Sequence, residues 1–247
     1  MTAEMLLSLL LTLSSAQPAV PPDKVVKQTF GAGGTTRSYY LLVPSRATPD
    51  APAPLLVLLH GSGREGRSLA EPWAALAKEQ GIILAAPDSI RREGWAMRED
   101  GPDFLYALIE MLRVQYPVDP RRLYLFGHSA GAIHALSMAV LESEYFSAAA
   151  AHAGVLSDGI VEFLERSPRK IPVGIWVGTN DPLFPLPTVR ATRDALVKRG
   201  FPAPLTELAG HTHAYYDRAR DINRQVWEYL QKHVLDTDPK FQKYETR

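Results

Sequence analysis

The 247-residue chain contains no cysteine, so it forms no disulfide, carries no cysteine-linked lipid anchor and builds no thiolate metal site. It also lacks an excess of charge of either sign, because 27 basic and 27 acidic residues cancel. With no basic run or aromatic–basic patch, nothing points to a nucleic-acid partner. Repeats and low-complexity segments are absent as well. The apolar run at residues 5–13 is too short to span a bilayer, so no stable membrane anchor is expected.

That run does have the length of a signal-peptide core. Ser14-Ser15-Ala16 before Gln17 makes a small-residue cleavage site, although the acidic Glu4 leaves the segment before the run without a basic side chain. Residues 1–16 therefore read as an export signal, giving a periplasmic or extracellular protein. Pro18, Pro21 and Pro22 make residues 17–23 an extended linker. Residues 236–247 read as a polar, frayed tail. Between them, residues 24–235 form one domain, long enough to hold a large core without disulfides.

Within that domain, segments 24–30 and 36–43, joined across Gly31-Ala32-Gly33-Gly34, read as an antiparallel hairpin at a sheet edge. Apolar strands then alternate with helical stretches: strand 55–59, helix 68–80, strand 82–86, helix 102–115, strand 123–126, helix 130–141. Strand 146–151, a short helix near 159–165, strand 171–177, helix 188–199, strand 205–208 and a closing helix 221–235 complete the pattern. This alternation demands an α/β fold, a mostly parallel sheet with helices on both faces. About twenty residues separate strand 146–151 from strand 171–177, too few for a sizeable lid, so an open site is expected.

The chemistry is signalled by Gly127-His128-Ser129-Ala130-Gly131, placed directly between strand 123–126 and helix 130–141. A serine hydroxyl becomes nucleophilic when a base removes its proton, which requires it to stand exposed on a sharp strand-to-helix turn. Gly127 and Gly131 spare that turn two Cβ atoms that would meet the neighbouring strand or helix. Upstream, the buried run 55–59 ends in His60-Gly61-Ser62-Gly63, a loop of small residues that a substrate carbonyl can approach. An oxyanion hole needs two backbone N–H groups: Ala130, after the nucleophile, supplies one, and Ser62, with Gly63 as the alternative, supplies the other.

With a serine on such an elbow, the acid and then the histidine follow along the chain. Strand 171–177 leads into Gly178-Thr179-Asn180-Asp181, so Asp181 projects from the carboxyl end of a parallel strand, where sites gather in such sheets. Of seven histidines, His60, His128, His134 and His152 precede the acid, and His233 falls inside the amphipathic last helix. His211 and His213 remain. His211 directly follows Ala209-Gly210 at a strand end, where its backbone could instead brace the loop.

These residues resemble the α/β-hydrolase superfamily, in particular the secreted esterase group that includes polyhydroxybutyrate depolymerase-like proteins, feruloyl and acetylxylan esterases, and esterase D. The resemblance spans roughly residues 24–235. It rests on Leu59-His60-Gly61, the 116–124 segment Tyr-Pro-Val-Asp-Pro-Arg-Arg-Leu-Tyr, Gly178-Thr179-Asn180-Asp181 and Gly210-His211-Thr212-His213-Ala214-Tyr215-Tyr216. It departs from the depolymerase-like members in having Ser62 where they often carry cysteine, and in lacking their His-Thr-Trp-Pro run, so polymer cleavage is not inherited. The resemblance implies an α/β-hydrolase fold and an ester hydrolase with catalytic Ser129, Asp181 and His213, the last by likeness to the histidine loop of esterase D. It needs no metal and no organic cofactor.

Trp95, Phe184, Tyr215 and Tyr216 are candidates to line the substrate pocket, and the substrate is expected to be a small-molecule or polymer-linked ester. Three other readings stand beside this one. A serine peptidase would share the elbow, but no propeller domain precedes it here. A metal enzyme could use His211 and His213, which alternate on an extended segment, but no further ligand cluster accompanies them. A non-catalytic binding protein could use the same fold.

Overall fold

The computed structural model describes residues 21–241. The expected export signal at residues 1–16 lies outside the described residues. Strands β1 (Val26–Ala32) and β2 (Thr35–Leu42) form the hairpin. It turns at Gly33 and Gly34, both in the left-handed region that a two-residue hairpin turn requires. The strands therefore reach further into the glycine segment than composition suggests.

The chain continues through β3 (Ala53–Leu59), α1 (Arg67–Gln80), β4 (Ile83–Pro87), α2 (Met97–Asp100), α3 (Pro102–Gln115), β5 (Val118–His128) and α4 (Ala130–Leu141). It ends with β6 (Ala148–His152), α5 (Asp158–Val161), β7 (Val173–Gly178), α6 (Leu186–Lys198), β8 (Leu205–Leu208), a 3-10 turn at Tyr215–Arg218 and α7 (Ala219–Leu230). The strands form one eight-stranded sheet in the order β1-β2-β4-β3-β5-β6-β7-β8. β1 and β2, and β2 and β4, pair antiparallel, and the remaining pairs are parallel. This is the mostly parallel α/β architecture expected, with its hairpin on the edge.

Both faces are covered, and strand alternation divides the core. Leu55, Val57 and Leu59 pack with residues of α3, α4 and α6, whereas Leu56 and Leu58 pack with residues of α1 and α7. Helix α4 is apolar nearly all round because it lies buried over the centre of the sheet. Helix α7 instead buries one stripe, Ile222, Val226, Trp227 and Leu230. Residues 153–172, between β6 and β7, hold only the one-turn α5, so no sizeable lid rises there.

Three expectations are corrected. The last helix ends at Leu230, so His233 lies beyond it, half-buried, with its carbonyl accepting the Tyr124 hydroxyl at 2.7 Å. The tail assigned to residues 236–247 is not free over its described part: Phe241 packs edge-on against Tyr106, with ring centroids 4.3 Å apart. The linker assigned to residues 17–23 already joins the domain at Asp23, whose N–H donates to Val43 O at 2.9 Å.

Candidate active site

The carboxyl ends of β3, β5, β7 and β8 converge on one edge of the sheet, and each sends a loop into the same cleft. The sharpest turn follows β5. Ser129 stands at φ 58° and ψ −121°, a backbone conformation that a non-glycine residue rarely adopts. Close packing holds it there. A Cβ on Gly127 would overlap the Gly131 carbonyl, and one on Gly131 would overlap the Leu59 carbonyl. The Ser129 N–H donates to His152 O at 3.0 Å, fastening the turn to the end of β6.

From this turn the Ser129 hydroxyl points at His213, with Oγ 3.0 Å from Nε2. On the far side of the ring, Nδ1 lies 2.9 Å from Asp181 Oδ2. Asp181 sits on the loop after β7 with its side chain fully buried. Its Oδ1 accepts the N–H groups of Leu183 and Phe184, each at 2.9 Å, so both carboxylate oxygens are engaged. The Nδ1–H···carboxylate bond fixes the tautomer that leaves Nε2 free to accept from Ser129.

The two neighbouring histidines are separated by what they touch. His213 faces the serine. His211 is buried, its ring against His152 and its Nε2 without a protein partner. The His211 carbonyl accepts the Asn180 N–H at 2.9 Å, so its backbone ties the histidine loop to the loop bearing Asp181. The two imidazoles therefore do not converge as a ligand pair. Among the described residues no three His, Asp or Glu side chains gather as a metal site.

On the β3 side, the Gly63 N–H is already donated to Arg92 O at 2.6 Å. Of the two candidates in this loop, the Ser62 N–H is thus the one left available among the described residues. Ala130 is the first residue of α4, where an N–H has no partner within the helix. Gly61 lets the loop lie close, since a Cβ there would meet Ser129 Cβ at 3.3 Å. His60 braces the loop, its Nδ1 2.9 Å from Gly61 O and its Nε2 accepting the Ser89 N–H at 3.1 Å. Burial lowers its pKa below 6.5.

The cleft over Ser129 has a volume of about 800 Å³ and is lined by Ser62, Arg64, His128, Leu183, Ala214 and Tyr216 among others. A second recess of about 740 Å³, lined largely by ionisable side chains such as Arg64, Arg67, Arg92, Glu71 and Asp88, adjoins it and shares Arg64. Of the aromatic candidates, none of Trp95, Phe184 and Tyr215 lines the cleft over Ser129, and the correction is largest for Tyr215. It is fully buried with its hydroxyl on Asn223 Oδ1 at 2.6 Å, and the adjacent Tyr216 reaches the cleft instead. Trp95 lies beneath the loop after β3, donating Nε1–H to His60 O at 2.8 Å and stacking on His134. Phe184 stacks on the His213 ring at 5.6 Å and 16°.

One group escapes a linear reading. His128 and His152 are register partners on β5 and β6, and their Nδ1 atoms are hydrogen-bonded at 3.0 Å. The His128 ring lies 4.9 Å from that of His213. Both are buried. Desolvation pushes His128 down to about 3 from 6.5, and His152 well below that ordinary value.

Comparison with known proteins agrees with this architecture. Residues 85–237 match the dienelactone hydrolase family. The chain is 32% identical over 202 residues to NocK of Nocardia uniformis subsp. tsuyamanensis, a protein described as an esterase, covering 74% of this chain and 56% of that one. In structure it is similar to a thermostable esterase (TM-score 0.69, 23% identity, 86% of this chain and 63% of the other). It is likewise similar to a ferulic acid esterase (TM-score 0.72, 18% identity, 85% and 98%). The shared architecture is the α/β-hydrolase fold. The chain spans a little over half the length of NocK and under two thirds of that of the thermostable esterase.

Proposed function

The chain belongs to the dienelactone hydrolase family, and from that premise we propose that it is a serine hydrolase cleaving carboxylic esters through an acyl-enzyme. The observation that carries this reading is the hydrogen-bonded line from Ser129 Oγ through the His213 ring to Asp181. In the proposed reaction, Ser129 attacks the ester carbonyl carbon while His213 Nε2 takes the hydroxyl proton. Asp181 holds the ring and stabilises the imidazolium without itself becoming protonated. The N–H groups of Ala130 and Ser62 receive the developing oxyanion. The imidazolium then returns its proton to the departing alcohol, leaving an acyl group on Ser129. Water, deprotonated by the same Nε2, attacks that ester and releases the carboxylic acid. None of these steps draws on a metal or an organic cofactor.

The open cleft and its polar neighbour favour a bulky or polymer-linked ester over a small enclosed one. The apolar run at residues 5–13 and the Ser14-Ser15-Ala16 site support export of the mature chain.

A fluorophosphonate probe should form one adduct, and peptide mapping should locate it on Ser129. An adduct elsewhere, or none on folded protein, contradicts the reading. Nitrophenyl esters of rising chain length, run beside feruloyl and acetylated-sugar esters, then define the substrate. A steep preference for the smallest acyl and alcohol groups would contradict the bulky-ester assignment. N-terminal sequencing of protein recovered outside the cytoplasm should begin at or near Gln17. Recovery only from the cytoplasm, with residues 1–16 attached, contradicts export.

A further inference from the structure

We propose that His128 is a positioning residue for the base, its ring and that of Phe184 packing against His213 and holding it in line between Ser129 and Asp181. This rests on the reading of His213 as the base. Both neighbours lie tilted no more than moderately from the His213 plane, His128 at 4.9 Å and 36° and Phe184 at 5.6 Å and 16°. Their own positions are fixed. Phe184 is itself pinned, since its backbone N–H donates to Asp181 Oδ1 beside that of Leu183. His128 is hydrogen-bonded to His152 through Nδ1 and stacks on the buried Tyr215 ring at 5.1 Å and 25°.

His152 joins two functions at one strand end. Its carbonyl accepts the Ser129 N–H, and its side chain holds His128. The orientation of the nucleophile and the support of the base thus depend on the same residue. A base held by one hydrogen bond to a carboxylate can still swing about that bond. Rings packed on it restrict the swing and keep Nε2 aimed at Oγ.

The charge state of the support matters because His213 becomes an imidazolium during the reaction. The ionisable groups facing His128 are His213 and Asp181 from the loops after β8 and β7, Arg64 from the loop after β3, His152 from β6, and Tyr216 and Tyr215 from the 3-10 turn. His211 in turn faces His152. Burial, His213 and Arg64 disfavour a proton on His128, and they outweigh the opposing influence of His152 and Asp181. A neutral ring beside the imidazolium imposes no like-charge repulsion, whereas a second cation there would.

The test compares His128→Ala, His128→Gln and His128→Phe with wild type, using p-nitrophenyl acetate and a fluorophosphonate probe. Rates are expressed per labelled site, and folding is checked by urea unfolding. Removing the ring by Ala or Gln should lower kcat about 10- to 100-fold, slow labelling in parallel, and leave KM within about threefold. Phe restores a neutral ring but not the hydrogen bond to His152, so it should recover part of kcat and exceed Gln. A folded Ala or Gln variant with wild-type kcat per site overturns the inference, as does a Phe variant no faster than Gln. If wild type neither turns over the ester nor takes the label, the proposed function fails first, and this inference with it.

Discussion

Gly131 and the carbonyl of Leu59 lie so close that a Cβ on Gly131 would overlap that oxygen. Helix α4 therefore rests directly on the end of β3, and this contact sets how steeply the chain turns at Ser129. Gly131→Ala should force the helix off the strand. Overpacking of this kind costs about 1–3 kcal/mol, and displacing the elbow should also slow probe labelling of Ser129. Urea unfolding and labelling rates measure the two effects. A variant with wild-type stability and labelling would show that the turn does not depend on this contact.

Arg37 and Asp100 form a buried ion pair, with side chains 7% and 0% exposed. The Arg37 guanidinium also donates to Glu99 O and Asp88 O, and Asp100 accepts the N–H groups of Ile90 and Ala96. The pair thus gathers the loop that carries Trp95 to the loop after β3. Arg37→Met leaves a buried carboxylate without its cation and should cost about 3–5 kcal/mol. An unfolding free energy within error of wild type would contradict this.

His134 is buried, its Nε2 2.8 Å from Asp100 O, and desolvation lowers its pKa to about 4 from 6.5. The unfolded chain takes up a proton at His134 before the folded one does. The stability from keeping it neutral is complete above pH 6.5 and is lost as pH falls toward 4. His128 and His152 act in the same sense. Each such histidine steepens the acid loss by up to about 1.4 kcal/mol per pH unit. His134→Gln keeps a donor for Asp100 O but does not titrate, so its unfolding free energy should fall less steeply over that range. An unchanged slope would contradict the assignment.

The readable parts of the sequence are those in which a local pattern states a local geometry. The elbow glycines, the apolar β3 run and the acid after β7 each sit beside the element that explains them. The choice between His211 and His213 is different, because on a loop two residues apart no periodicity says which side chain faces the serine. Tyr215 and Tyr216 pose the same difficulty on a 3-10 turn, where adjacent residues part company, one into the core and one into the cleft. The His128–His152 pair is hidden for another reason. Its members are neighbours only through the register of β5 on β6. His233 reads as helical because Val234 and Leu235 prolong the apolar spacing of α7, whereas the helix stops at Leu230.

The division of roles between His213 and His211 predicts opposite outcomes for two similar variants. His213→Ala should lower ester turnover by at least about 10⁴-fold, as removing the base of such a triad does. His211→Ala keeps its backbone link to Asn180 and should lose far less. If His211→Ala is inactive while His213→Ala retains most of its turnover, the assignment is reversed.

The account as a whole depends on Ser129 acting as nucleophile, and steady-state turnover of a nitrophenyl ester by Ser129→Ala tests this most directly. Alanine removes Oγ and leaves the turn, His213 and Asp181 in place, so folding should be nearly unchanged. Turnover should fall by several orders of magnitude, on the order of 10⁶ as in other serine triads. A normally folded Ser129→Ala protein retaining a tenth of wild-type activity would contradict the account.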